Sequence, residues 1–187
     1  MMGVSAQNTK INVAIAIWEW PTYFDPDLKL KGIKLNISKW QRPPQNSSPW
    51  QSKAAGLYMI CTLSKHQAEK EGYTDSLMLD HEGNIAEATS ANIFFKDEKN
   101  EHHTPIPDSF LDGITRKTVI DLAKSKNIKI HERKISPNEL SNFKGCFITG
   151  TAAEVTPVGK ILDNSFEVCD LIKDLSSSYE KLVGKND

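Results

Sequence analysis

The sequence predicts an α/β fold, and three observations carry the prediction. Short runs that alternate apolar and polar residues, such as Ile33-Lys34-Leu35-Asn36-Ile37, read as half-buried strands. Between them lie longer stretches with apolar residues at helical spacing, as at Leu57, Ile60, Cys61 and Ser64. A chain of 187 residues with 39% hydrophobic and 25% charged residues is long enough and apolar enough for one domain with a sizeable core.

Taken in order, Ile11, Val13, Ile15 and Ile17 alternate after a polar, unpatterned opening over Met1–Lys10, and the alanines between them predict a strand covered on both faces. Trp18, Trp20, Pro21 and Tyr23 make a bulky loop, and Asp25-Pro26-Asp27 marks a turn. After the strand at Ile33–Ile37, the paired prolines of Arg42-Pro43-Pro44 enforce a loop. A helix is expected from about Ser52 to Glu71, ended by Gly72. Ser76–Leu79 and Ile85–Glu87, joined by Asp80-His81-Glu82-Gly83-Asn84, read as a β-hairpin, and Ile93-Phe94-Phe95 as the next strand. Val119, Leu122 and Ala123 share one face of a helix closed by Asn127. Ile128 and Ile130 then form a strand, and Ser136-Pro137-Asn138-Glu139 carries a capping box. Cys146–Thr149 forms a buried strand that runs into the loop Gly150–Val158. A final helix spans Glu167–Gly184, with Val168, Leu171, Ile172, Leu175 and Leu182 as its core stripe.

Charge and composition narrow the function. A formal net charge of −1 offers no footprint for nucleic acid or an anionic membrane, so the expected partners are small molecules or protein surfaces. Cys61, Cys146 and Cys169 are odd in number and lie in apolar sequence, the pattern of reduced thiols, so a cytoplasmic location is expected. The run Val13–Trp18 is too short to span a bilayer and lacks the flanks of a signal peptide. No metal site is expected, because the adjacent His102 and His103 point to opposite faces of an extended segment.

Four stretches remain as candidates for chemistry. In Gln51-Ser52-Lys53-Ala54-Ala55-Gly56-Leu57-Tyr58 a lysine precedes three tiny residues, which leaves room for something flat beside an amine that could bond an aldehyde. Glu87 sits between an apolar hairpin arm and small residues, a place for a carboxylate that meets a cation. Gly113, Ile114 and Thr115 open a helix, where free amides and the helix dipole favour an anion such as phosphate. Gly150-Thr151-Ala152-Ala153, after a buried strand, can turn amides and hydroxyls toward charged oxygens. Each taken alone has a plain structural reading: a solvated lysine, an exposed acid at a strand end, a helix capped by Asp112.

In this order, Lys53–Tyr58, Leu79-Asp80 with Gly83 and Ile85–Phe94, Gly113–Arg116 and Thr149–Val158 resemble the fold-type IV (class IV) aminotransferases, most of all their branched-chain amino-acid members. The resemblance runs from about Val13 to the C-terminus. It implies a mixed, partly barrel-like sheet with flanking helices, the large cofactor-binding domain of the D-amino-acid-aminotransferase-like fold, over residues 1–187. A smaller N-terminal domain, which in the family adds a phosphate-binding arginine and part of the substrate pocket, is then expected to be absent. The implied cofactor is pyridoxal 5′-phosphate, carried as a Schiff base by Lys53, which would also move the substrate proton.

By the same resemblance Glu87 would pair with the pyridine nitrogen, Tyr58 would donate to the phenolate oxygen and Leu111 would pack against the ring. The amides of Ile114 and Thr115 and the hydroxyl of Thr151 would hold the phosphate, and the amides of Thr151 and Ala152 the substrate carboxylate. Tyr23 and Trp20 would line the substrate pocket. The implied reaction is transamination of branched-chain L-amino acids with 2-oxoglutarate in a homodimer or larger homo-oligomer. Rival readings are an aminodeoxychorismate lyase, a D-amino-acid aminotransferase and a truncated, non-catalytic cofactor-binding remnant; the stretch Thr149–Val158 favours the branched-chain reading.

Overall fold

A computed structural model describes residues 4–184 of the chain. Its elements are α1 (Pro26–Lys31), β1 (Ile33–Ile37), α2 (Met59–Lys70), β2 (Asp75–Leu79), β3 (Ile85–Ala88), β4 (Asn92–Lys96) and β5 (His102–Thr104). There follow α3 (Ile114–Ser125), β6 (Ile130–Glu132), β7 (Gly145–Gly150), β8 (Glu154–Ile161), β9 (Asn164–Ser165) and α4 (Asp170–Leu182). The strands form one sheet in the order β3-β2-β1-β8-β7-β4-β5-β6, with β9 against β8. β1 runs parallel to β2 and β8, and β5 parallel to β6; the remaining neighbours are antiparallel. The sheet curls until the Ile85 N–H at the start of β3 donates to the Ile135 carbonyl beyond β6, at 2.8 Å. The expected mixed, partly barrel-like sheet is therefore present as a half-barrel.

Strand periodicity builds both faces of the core. Along β4 and β7, Ile93, Phe95, Cys146 and Ile148 point into the curl, where they meet Ile33, Leu35, Leu77 and Val158. Phe94 and Phe147 point outward and stack with ring centres 4.9 Å apart, covered by Val119 and Ala123 of α3 and Ile172 and Leu175 of α4. Each such buried side chain contributes roughly 1.5–3 kcal/mol. Among the described residues no helix is long and apolar enough to cross a membrane.

Several expectations are corrected. Ile11, Val13, Ile15 and Ile17 are 89–93% exposed, and their segment has no ladder partner among the described residues, so the strand covered on both faces does not form. Of the polar opening, residues 1–3 lie outside the described residues. The turn at Asp25-Pro26 is a helix start, because the Asp25 carboxylate accepts from the Asp27 amide and caps α1. The helix after Lys53 begins as a 3₁₀ turn over Ala55–Tyr58 and becomes α-helical at Met59. The capping box at Ser136 and Glu139 forms, on a 3₁₀ turn. The loop expected through Val158 shrinks to residues 151–153, since Glu154–Ile161 is a central strand. Pro157 is tolerated there because the ladder of β8 with β1 starts at Val158. In α4 the buried stripe is Ile172, Leu175 and Tyr179, while Val168 precedes the helix and Leu182 is exposed.

One glycine pair decides how α1 joins the sheet. Gly32 adopts φ +81°, and a Cβ placed there would lie 2.4 Å from the Gly159 nitrogen on β8. Gly32→Ala is expected to destabilise the fold by at least ~1–3 kcal/mol from backbone strain, read as a lower urea midpoint; an unchanged midpoint contradicts this packing.

Candidate active site

The ends of β3 and β7 open into one cleft lined by Arg42, Lys53, Tyr58, Glu87, Asn92, Leu111, Gly113, Ile114, Thr115, Thr149, Gly150 and Thr151, together with Trp50, Ser52, Leu57, Cys61, Thr89, Ser90 and Ala91. Three chain segments wall it and β3 gives it a floor.

The first wall comes from the loop that leaves β1. The Arg42 N–H donates to the Leu79 carbonyl at 2.8 Å, which fixes the loop to β2. Lys53 is exposed on extended residues just before the 3₁₀ turn. The tiny residues leave the expected space, since nothing lies within 4 Å of a Cβ built on Gly56. Tyr58 closes the turn half-buried, and its phenol pKa is raised by burial and then by the charge of Glu87.

The floor is Glu87, carried on β3 and only 7% exposed. Burial pushes its carboxyl up to about 8; Arg42 opposes that shift and Asp75 adds to it. Arg42 Nε lies 3.4 Å from one carboxylate oxygen, and Asn92 Nδ2 donates to the other at 3.4 Å. The plain reading of Glu87 as an exposed acid is thus excluded, and the cation that its position called for is Arg42.

The second wall is the start of α3. Gly113 occupies the N-cap position without a side-chain cap, and Asp112 pairs instead with Arg116 at 2.9 Å and Lys117 at 3.3 Å. The amides of Ile114 and Thr115 therefore lack intrahelical acceptors and face the positive end of the dipole. The Thr115 hydroxyl lies 3.4 Å from the Tyr179 hydroxyl. Asn92 ties this helix start to the floor: its Oδ1 accepts from Gly113 N–H at 3.2 Å and its Nδ2 donates to the Leu111 carbonyl at 2.9 Å. Across from it, Thr149-Gly150-Thr151 forms the third wall, where the buried Thr149 hydroxyl has no hydrogen-bond partner among the described residues.

The structure thus gathers Lys53, Tyr58, Glu87, Leu111, Ile114, Thr115 and Thr151 around one space. Ala152 lies next to Thr151, exposed and outside the lining. Tyr23 reaches the edge, its hydroxyl 3.2 Å from that of Ser90. Trp20 is not brought in: it stands exposed against Trp18. Arg42, Asn92 and Thr149 were not singled out from the sequence. A charged residue in the otherwise uncharged stretch Trp40–Trp50 was the available signal for Arg42. An amine on one wall, a buried acid on the floor and a free helix start opposite suit a flat molecule that carries an anionic group.

Comparison with known proteins identifies the family. Residues 3–161 match the family model for amino-transferase class IV, and the chain belongs to this family. A "Probable branched-chain-amino-acid aminotransferase" of Rickettsia conorii is 38% identical over 97% of the chain. The branched-chain-amino-acid aminotransferase of Pseudomonas aeruginosa is 36% identical over 86%. Among solved structures, the branched-chain aminotransferase of the thermophilic archaeon Thermoproteus uzoniensis with norvaline superposes with a TM-score of 0.81 at 31% identity, covering 88% of this chain. An aminotransferase from Brucella abortus bound to the cofactor PLP gives 0.79 at 27% identity, covering 87%. The chain spans 62% of the Rickettsia conorii protein, 52% of the Pseudomonas aeruginosa protein and 56% of each of these two solved chains.

The buried Glu87 makes stability depend on pH. Its folded-state pKa is raised from 4.5 to about 8, so between those values the native state holds a proton that the unfolded chain has released, and stability falls as pH rises. Glu87→Gln removes that dependence: its urea midpoint relative to wild type is expected to rise from pH 5 to pH 9. A constant difference between the two proteins contradicts the burial of this acid.

Proposed function

We propose that this chain carries out pyridoxal 5′-phosphate-dependent transamination, in which a branched-chain L-amino acid and 2-oxoglutarate would be converted to the corresponding 2-oxo acid and glutamate. The observation that carries the reading is that Lys53 and the buried Glu87, 34 positions apart in sequence, line the same cleft. The names of the relatives and the cofactor bound to the Brucella abortus aminotransferase support it.

The residues present fit the cofactor. A pyridine ring needs a carboxylate at its nitrogen, and Glu87 is aimed into the cleft with a cation behind it. A phosphate needs free donors, and the uncapped start of α3 meets that need. When bound, pyridoxal phosphate supplies an aldehyde that bonds to amines and a ring that takes up the electron pair left at the substrate Cα.

The chain's own residues then have distinct tasks. Lys53 Nζ is the attachment point and, once freed, the base that takes the proton from Cα, a role typically contributing ~10²–10⁴-fold. Glu87 holds a proton at the ring nitrogen. Tyr58 donates to the ring's phenolate oxygen, and Leu111 packs against the ring. The amides of Ile114 and Thr115 with the Thr151 hydroxyl bind phosphate, while the amides of Thr151 and Ala152 bind the substrate carboxylate. Tyr23, at the edge beside Ser90, stands next to the substrate side chain.

Purified protein given pyridoxal phosphate and then borohydride is expected to carry the reduced adduct on Lys53 by mass spectrometry, and Lys53→Ala is expected to lose it. In the loaded protein L-leucine is expected to produce the pyridoxamine form faster than D-alanine. An adduct that persists in Lys53→Ala overturns the assignment of the lysine, and faster reaction with D-alanine overturns the substrate class.

A further inference from the structure

Arg42 has no task in the roles above, yet its side chain is only 5% exposed and faces the one acid on the cleft floor. Its other side-chain contacts are weak: Nε reaches the Ser109 carbonyl at 3.4 Å, and Nη1 the Cys61 sulfur at 3.3 Å. Burying a guanidinium is costly unless it is paired, and a long carbonyl contact and a thiol are weak partners for it. Glu87, with Oε1 3.4 Å from Nε, is the acid it faces.

We propose that Arg42 is a positioning residue that decides where the proton shared by Glu87 and the cofactor's ring nitrogen resides. The inference rests on the reading that pyridoxal phosphate occupies this cleft with its ring nitrogen at Glu87. A carboxylate and a pyridine nitrogen compete for one proton, and it stays on the stronger base. Burial works toward making Glu87 the stronger base, since desolvation disfavours its charged form. The other ionisable neighbours push the same way: Asp75 on β2 adds negative charge, and the half-buried Tyr58 and the Cys61 thiol of α2 supply no cation. Arg42 works against burial, because a guanidinium beside the carboxylate favours its charged form and stays charged at every accessible pH. Stabilising the carboxylate shifts the proton toward the ring. Asn92 fixes the second oxygen at 3.4 Å and, through Gly113 and Leu111, keeps Glu87 in register with the start of α3.

The test is the ¹⁵N shift of ring-labelled pyridoxal phosphate bound to wild type, Arg42→Lys, Arg42→Gln and Arg42→Met. Wild type and Arg42→Lys are expected to give the shift of a protonated ring. The two neutral variants are expected to move it downfield toward that of a neutral pyridine while still retaining the label. A neutral variant that binds the label with the wild-type shift overturns the proposal. So does a failure of both neutral variants to fold while Arg42→Lys folds, since that assigns Arg42 to the fold. The underlying reading fails separately: wild type then does not retain the label, or Glu87→Gln leaves the ring shift unchanged.

Discussion

A carboxylate kept from water must find a cation or take up a proton, and the cleft is organised around how Glu87 meets that constraint. The β-strand that carries it is covered on both faces, so the side chain is delivered to a nearly dry floor. Arg42 can reach it because the loop after β1 is pinned to the end of β2 and then turned by two prolines. The same loop continues to Lys53, so the amine and the cation that faces the acid share one connection. Any change that lets water reach Glu87 would relax this arrangement, since solvation could then replace Arg42 as the partner of the charge.

The half-barrel supplies the rest. Its curl brings the ends of β3, β4 and β7 to one side, and the helix that covers its outer face starts there with uncapped amides. Asn92, at the first position of β4, bonds to both Glu87 and the α3 start, so the acid and the anion site keep a fixed separation. Gly113 is part of the same device, because a Cβ there would lie 2.5 Å from the Asn92 oxygen. The rigid sheet, rather than the loops, therefore sets the distance across the cleft.

Much of this was legible in the residues, for identifiable reasons. Strands that alternate strictly, such as Ile33–Ile37 and Ile93–Phe95, declare themselves because one face is buried and local pattern follows burial. β8 was hidden because Thr156, Pro157 and the small residues before them read as a loop, and its place at the sheet centre comes from neighbours distant in sequence. The reverse error occurred at Ile11–Ile17, where an apolar alternation has no ladder to join among the described residues. In the cleft, the lysine, acid and helix start carried local signals. Arg42 and Asn92 act only through contacts made across the fold, which no spacing encodes.

The account stands on Glu87 and the α3 start gripping opposite ends of one molecule, and a crystal structure of the protein with pyridoxal phosphate tests that most directly. The account predicts a continuous bond from Lys53 Nζ to the cofactor, the ring nitrogen within hydrogen-bond reach of Glu87, and phosphate oxygens on the amides of Ile114 and Thr115. A cofactor bound elsewhere, or one whose ring turns its nitrogen away from Glu87, would contradict it.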